Sequence, residues 1–303
     1  MIPLRTLFIS ALVAAAALRG SGQSYSSGQP VWPAFEGWEQ NDDGSANLVF
    51  GYMNDNWQEE FDVPIGPGNS LEPGGPDRGQ PTHFQPRRNR FVFRVRVPNT
   101  WADKEMIWTL TTHGVARKAY ATLRTDLQIE NIDIMSETGA LGAGTSNPEI
   151  RGDKPPVVEI VGSRSLTATV GKPVTLAAIV TDDGIPRPRG SGIGRGRGEG
   201  ADFPRPPSRL TVGKNLGLHL SWFVYRGPAA AVSFEPRQIK TWEDTREGAN
   251  SPWAPRWIAP AVPAGGKYVA EVTFGEPGTY VLRARADDGA LTSDEDVTVT
   301  VSR

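Results

Sequence analysis

Histidines, paired carboxylates, tryptophans and arginines are the residues of this chain whose spacing could carry chemistry. His83, His113 and His219 lie thirty or more positions apart. A zinc trio needs imidazoles that converge, a property usually signalled by close spacing. These three therefore read as isolated surface or turn residues, and no metal ligand is assigned to them. No Gly-x-Ser-x-Gly elbow occurs, and neither Ser221 nor Ser251 has the local context of a nucleophile. No catalytic residue is assigned.

Three pairs of acids stand side by side: Glu59-Glu60, Asp182-Asp183 and Asp287-Asp288. Glycoside hydrolysis needs two carboxyls facing across a cleft. Neighbouring acids on a strand point to opposite faces, so no pair is itself a catalytic pair. Both aspartate pairs precede a glycine, and Asp-Asp-Gly is turn chemistry: Asp bonds its own backbone and Gly takes positive φ. The other reading is calcium, held by Asp182, Asp183, Asp287 and Asp288 if their loops meet at one end of a sandwich. Turn formation explains these acids, so no cofactor is expected, and EDTA should leave the melting temperature unchanged.

Trp242, Trp253 and Trp257 lie in a proline-rich stretch. An exposed indole offers a flat apolar face to a sugar or a partner. The same residues can instead pack on their own domain, and the expectation is that at least two do. They remain the candidate ligand surface. Arg187, Arg189, Arg195, Arg197, Arg205 and Arg209 lie in a Gly/Pro-rich stretch. That composition reads as a mobile loop; its other use would be contact with an anionic surface.

The elements that must position these residues are strands. The chain has 303 residues, with 34 Gly and 26 Pro, about a fifth of the total and above average usage. Turns should be many and long helices few. There is no cysteine, which excludes disulfides, thiolate metal sites and thiol nucleophiles. Arg5, the uncharged run Thr6 to Leu18, and Gly20 and Gly22 give residues 1–22 the form of a signal peptide. The apolar run is too short to span a membrane. Without that segment, 30 basic residues face 34 acidic ones. That balance argues against a nucleic-acid partner. The expected compartment is periplasmic or extracellular, in a bacterium.

Period-two alternation marks strands at Leu48 to Met53, Phe91 to Val97, Met106 to Thr111 and Lys118 to Leu123. Pro64 to Pro86 reads as an ordered loop. These make an N-terminal β-sandwich over 31–137, and linker composition follows over 138–156. A second set of short strands runs over 157–303, with inserts at 184–216 and 235–266. Leu218, Leu220, Trp222 and Val224 alternate there, as do Tyr280, Leu282, Ala284 and Ala286. About seven short strands separated by turns predict an immunoglobulin-like sandwich with Trp222 in its core.

The second block also carries Gly171-Lys172-Pro173-Val174-Thr175-Leu176, Thr181-Asp182-Asp183-Gly184, Leu220-Ser221-Trp222, Pro277-Gly278-Thr279-Tyr280 and Ala286-Asp287-Asp288-Gly289. These strings resemble PKD-like domains of bacterial secreted proteins, a resemblance that implies an immunoglobulin-like spacer, adhesive or accessory module. The two inserts depart from that pattern. In the first block, Phe50-Gly51-Tyr52-x-Asn54, Val63-Pro64-Ile65-Gly66-Pro67 and Gly79-Gln80-Pro81-Thr82-x-Phe84-x-Pro86 are similar to an uncharacterised module of secreted and cell-surface proteins. The expected protein is all-β, non-enzymatic and exported. It would be a binding, adhesion or scaffolding protein with a protein or glycan partner, or alternatively an accessory carbohydrate-binding protein using its tryptophans.

Overall fold

The computed structural model describes residues 25–98, 100–101, 103–138, 148–187, 217–242 and 260–303. The signal-peptide reading, most of both inserts, Trp253, Trp257 and part of the linker lie outside the described residues. Among the described residues no helix is long and apolar enough to cross a membrane.

The first sandwich pairs two antiparallel sheets. One contains β1 (Val31–Gln40), β2 (Ala46–Asn54) and β6 (Arg87–Val97), in the order β1-β2-β6. The other contains β4 (Asn69–Glu72), β7 (Met106–Thr112) and β8 (Val115–Ala121), in the order β4-β7-β8. A short pair, β3 (Phe61–Asp62) and β5 (His83–Phe84), lies outside both sheets. Asn41 to Ser45 closes the β1–β2 hairpin: Gly44 N donates to Asn41 O, and Asp43 Oδ1 accepts from Ser45 N. Trp108 stands at the centre of the core, 5.0 Å from Phe93 and 6.0 Å from Phe50, ring to ring. Its Nε1 donates to Asn69 Oδ1 at 3.0 Å. Asn69 in turn donates to Val63 O and Pro81 O, so one buried amide pins the proline-rich tract to the core. That tract is more than a loop, because it contributes β4 and β5.

The second sandwich contains β9 (Val157–Ile160), β10 (Ser165–Thr169), β11 (Val174–Thr181), β12 (His219–Arg226), β13 (Val232–Glu235), β14 (Lys267–Phe274), β15 (Gly278–Asp287) and β16 (Thr292–Ser302). Its sheets run β13-β14-β11-β9 and β10-β16-β15-β12. Every pairing is antiparallel except β10 with β16, which is parallel. Trp222 is buried in the core, as the alternation predicts. Tyr280, near the start of β15, donates its hydroxyl to Glu276 O at 2.9 Å. This is the tyrosine corner of an immunoglobulin-like sandwich.

A short helix, Asn131–Thr138, follows the first sandwich and was not foreseen from composition. Asp133 Oδ2 accepts from Glu130 N at its start, as in a capping box. Ile134 and Met135 pack with Val49 and Phe91 of the first sandwich and with Ala290 and Leu291 of the second. The helix is thus a wedge shared by the two halves.

Candidate functional site at the junction of the sandwiches

β12 is an edge strand, and its free edge needs a cover. The first sandwich supplies it. Thr82 N donates to Tyr225 O at 3.1 Å, and Gly227 N donates to Thr82 Oγ1 at 3.0 Å. A register shift between Val224 and Arg226 re-aims the side chains at this point. Tyr225 enters the first core and donates its hydroxyl to Gly79 O at 2.5 Å. Arg226 grips Asp77 with both terminal nitrogens, at 2.8 and 3.0 Å, and donates from Nε to Gln80 O. Gly227, at φ 111°, has to be glycine: a Cβ there would stand 2.7 Å from the Tyr280 ring.

Two arginines of β15 sit behind this contact. Arg283 is 8% exposed and Arg285 7%. Arg283 holds Asp296 at 2.7 and 2.9 Å, donates to Val92 O at 2.7 Å across the junction, and lies 3.4 Å from the Tyr225 ring centre. Arg285 holds Asp294 at 2.7 Å through two nitrogens. The register sets Arg283 opposite Asp296 and Arg285 opposite Asp294, so the hairpin itself builds both pairs. Burial alone would pull both guanidinium pKa values down. Tyr225, Asp296 and Asp294 outweigh it for Arg283, as Asp294 does for Arg285, and both end raised. Burial pushes the Tyr225 phenol up to about 12.

His83 is buried, with Nδ1 2.9 Å from Asp62 Oδ1 and Nε2 3.3 Å from Glu60 Oε2. Burial disfavours the imidazolium, but the hydrogen bonds to Asp62 and Glu60 prevail and its pKa is raised. The surface-or-turn expectation therefore fails for His83. It fails also for His219, which is buried in the second sandwich with Nδ1 3.1 Å from Gly217 O. His113 does sit in a turn, at φ 49°. A cleft at the junction is lined by Tyr52, His83, Asn89, Phe223, Tyr225 and Arg285. Its interior of about 10 Å³ is room for about one water molecule. The arrangement locks polar groups in place and leaves little space for a substrate.

The two aspartate pairs behave as turns, whereas Glu59 and Glu60 pair with His113 and His83. Asp182 Oδ2 accepts from Gly184 N and Asp183 Oδ1 from Ile185 N. Asp287 Oδ1 accepts from Gly289 N, while Asp288 Oδ1 accepts from Ala290 N and Leu291 N. The structure adds an acid that sequence reading passed over, Asp153 in the linker. Lys154 N donates to Asp183 Oδ2, which sets Asp153 beside the Asp182-Asp183 turn. Burial first, then the charges of Asp183 and Asp182, push Asp153 up to about 7. Burial also leads in pushing Asp288 up to about 8, with Asp153 and Asp287 adding to it.

His83 makes a pH prediction. Its folded pKa lies above the ordinary 6.5, so the paired imidazolium contributes stability that is fully present below that value and lost as pH rises through the folded one. Urea unfolding between about pH 6 and pH 9 should show stability falling, and His83→Gln should make the fall shallower. Equal slopes in the two proteins would remove His83 as a source.

Of the proposed tryptophan surface, only Trp242 is described. It is buried at 8% exposure, with Lys240 Nζ 5.0 Å from its ring. Its neighbour Thr241 bonds Gln85 of the first sandwich at 2.6 Å.

Fold and junction together define an all-β protein of two sandwiches, the second immunoglobulin-like, locked edge to face. No family model matches the chain, and no curated protein does. Among solved structures the chain is similar to the PKD domain of human KIAA0319, at 15% identity and TM-score 0.23, covering 53% of this chain and 91% of that one. It is also similar to domains 4 and 5 of the S-layer protein SbsC, at 10% identity and TM-score 0.23, covering 91% and 98%. The SrpA adhesin from Streptococcus sanguinis gives 12% identity and TM-score 0.24, covering 50% and 58%. Superpositions this loose carry no argument about function.

Proposed function

We propose that this chain is an exported, non-enzymatic protein of the bacterial envelope, acting as a rigid binding, adhesion or scaffolding module for a protein or glycan partner. The observation that supports this reading is the junction. Aromatic burial, a bidentate ion pair, a buried arginine and main-chain bonds all serve to hold one sandwich against the other. Domains joined by a flexible linker ordinarily move. A chain that invests its polar residues in preventing that motion suits a part that presents surfaces at a fixed angle. The signal-like composition of residues 1–22 supports the compartment.

The test has two arms. Expressed with its native N-terminus in a Gram-negative host, the protein should be recovered outside the cytoplasm, beginning near Gln23 by mass spectrometry. The purified mature chain should then bind one envelope fraction saturably without altering it, and Arg226→Ala, which frees Asp77, should weaken that binding. Recovery of the uncleaved chain in the cytoplasm, or turnover of a bound component, would overturn the reading.

A further inference from the structure

Five aspartates from three segments meet at one end of the second sandwich. Asp153 precedes β9, Asp182 and Asp183 follow β11, and Asp287 and Asp288 close β15. We propose that this end binds a hard divalent cation, with Ca²⁺ the best fit, and that Asp153, Asp182 and Asp288 are its central ligands.

The turns account for only some of the carboxylate oxygens. Both oxygens of Asp153, Oδ1 of Asp182 and Oδ2 of Asp288 are sealed from water and have no hydrogen-bond partner among the described residues. Asp153 is 3% exposed and Asp288 2%. Buried polar oxygens left without partners are costly and rare. Protons could neutralise such acids, but a protonated carboxyl still needs an acceptor for its hydrogen. A cation among them would give these oxygens the partner they lack. The donors are hard oxygens from three separate segments, and Ca²⁺ takes six to eight oxygens in flexible geometry, carbonyls and waters included. Among the described residues no three acids or histidines already stand at ligand distances from one point. Like charges repel, and an ion is what would draw these carboxylates together.

The site would do structural work. It would bolt the segment leading into β9 onto the second sandwich. It would also brace the Asp288 turn, whose Ala290 and Leu291 pack on Ile134 and Met135 of the wedge helix. The inference does not depend on the protein's partner or compartment.

The experiment uses the full mature chain, stripped with EDTA and desalted. CaCl₂ titrated in a calorimeter should give saturable binding at about one ion per chain. Calcium at a hundredfold excess over Kd should raise Tm by about 5–10 °C, and EDTA should reverse the rise. Asp153→Asn and Asp288→Asn should each abolish most of the shift, while Asp126→Asn, on the first sandwich, should keep it. This reverses the expectation from the sequence, in which turn formation alone explained the acids and EDTA left the melting temperature unchanged: the turns leave oxygens of Asp153, Asp182 and Asp288 unpartnered. Absence of binding heat and of any Tm shift at millimolar calcium would overturn the proposal, as would a full shift in both variants. If either variant fails to fold, the wild-type titration decides alone.

Discussion

Arg283→Ala should lower the stability of this protein by about 3–5 kcal/mol, the usual cost of removing one partner from a buried charge pair. The guanidinium is 8% exposed, and it satisfies three claims at once: the Asp296 carboxylate, the Val92 carbonyl of the other sandwich, and the face of Tyr225. Alanine leaves the carbonyl and the ring without their donor. The Asp296 side chain is 38% exposed, so water takes up part of its loss and the lower end of the range is expected. The bond to Val92 crosses the junction, so the change should also separate the unfolding of the halves. Calorimetry should then show two transitions where the wild type shows one. A double-mutant cycle with Asp296→Ala measures the pair itself. A loss below about 1 kcal/mol would mean the pair behaves as a surface one.

Trp108→Ala should cost about as much, roughly 3–5 kcal/mol, for a different reason. The indole is fully buried among Phe50, Phe84 and Phe93, and the cavity left behind has aromatic walls that collapse poorly. Trp108→Phe separates the terms. It keeps most of the apolar volume but leaves Asn69 Oδ1 without its donor, a loss of about 1–3 kcal/mol. Because Asn69 also holds Val63 and Pro81, protease nicking within the tract from Pro64 to Pro86 should quicken in both variants. Urea midpoints and limited proteolysis check the two effects. If Trp108→Phe equals wild type, the amide draws nothing from the indole.

Two arginine pairs show what alternation can and cannot reveal. Arg94 and Arg96 on β6, and Arg283 and Arg285 on β15, follow the same pattern of apolar residues alternating with Arg. The first pair is exposed, as expected of the outer face of a strand. The second pair is buried, because the other sandwich covers that face. A local period registers one buried side and stays silent about a neighbour nearly two hundred residues away. Signs did exist. Phe223 and Tyr225 stood on the supposedly wet face of β12, and Asp294 and Asp296 lay in the strand after Arg283 and Arg285. The strands themselves, the core position of Trp222 and the Asp-Asp-Gly turns were legible because local spacing causes them. Asp153 was not, since its surroundings come from loops distant in sequence, and neither was His83, whose two carboxylates reach it through the β3–β5 pairing.

The parallel ladder between β10 and β16 has a mechanical consequence. Its pairs run from Ser165↔Thr298 to Thr169↔Ser302, and Val170 N adds a bond to Ser302 O at 2.9 Å. Tension that draws the start of β10 away from the end of β16 acts along both strands. The evenly spaced bonds of a parallel ladder are then loaded together, in shear, rather than unzipped one after another. A pull across this sandwich meets main-chain bonds acting as a clamp, and its yield force is set by how many of them must fail at once.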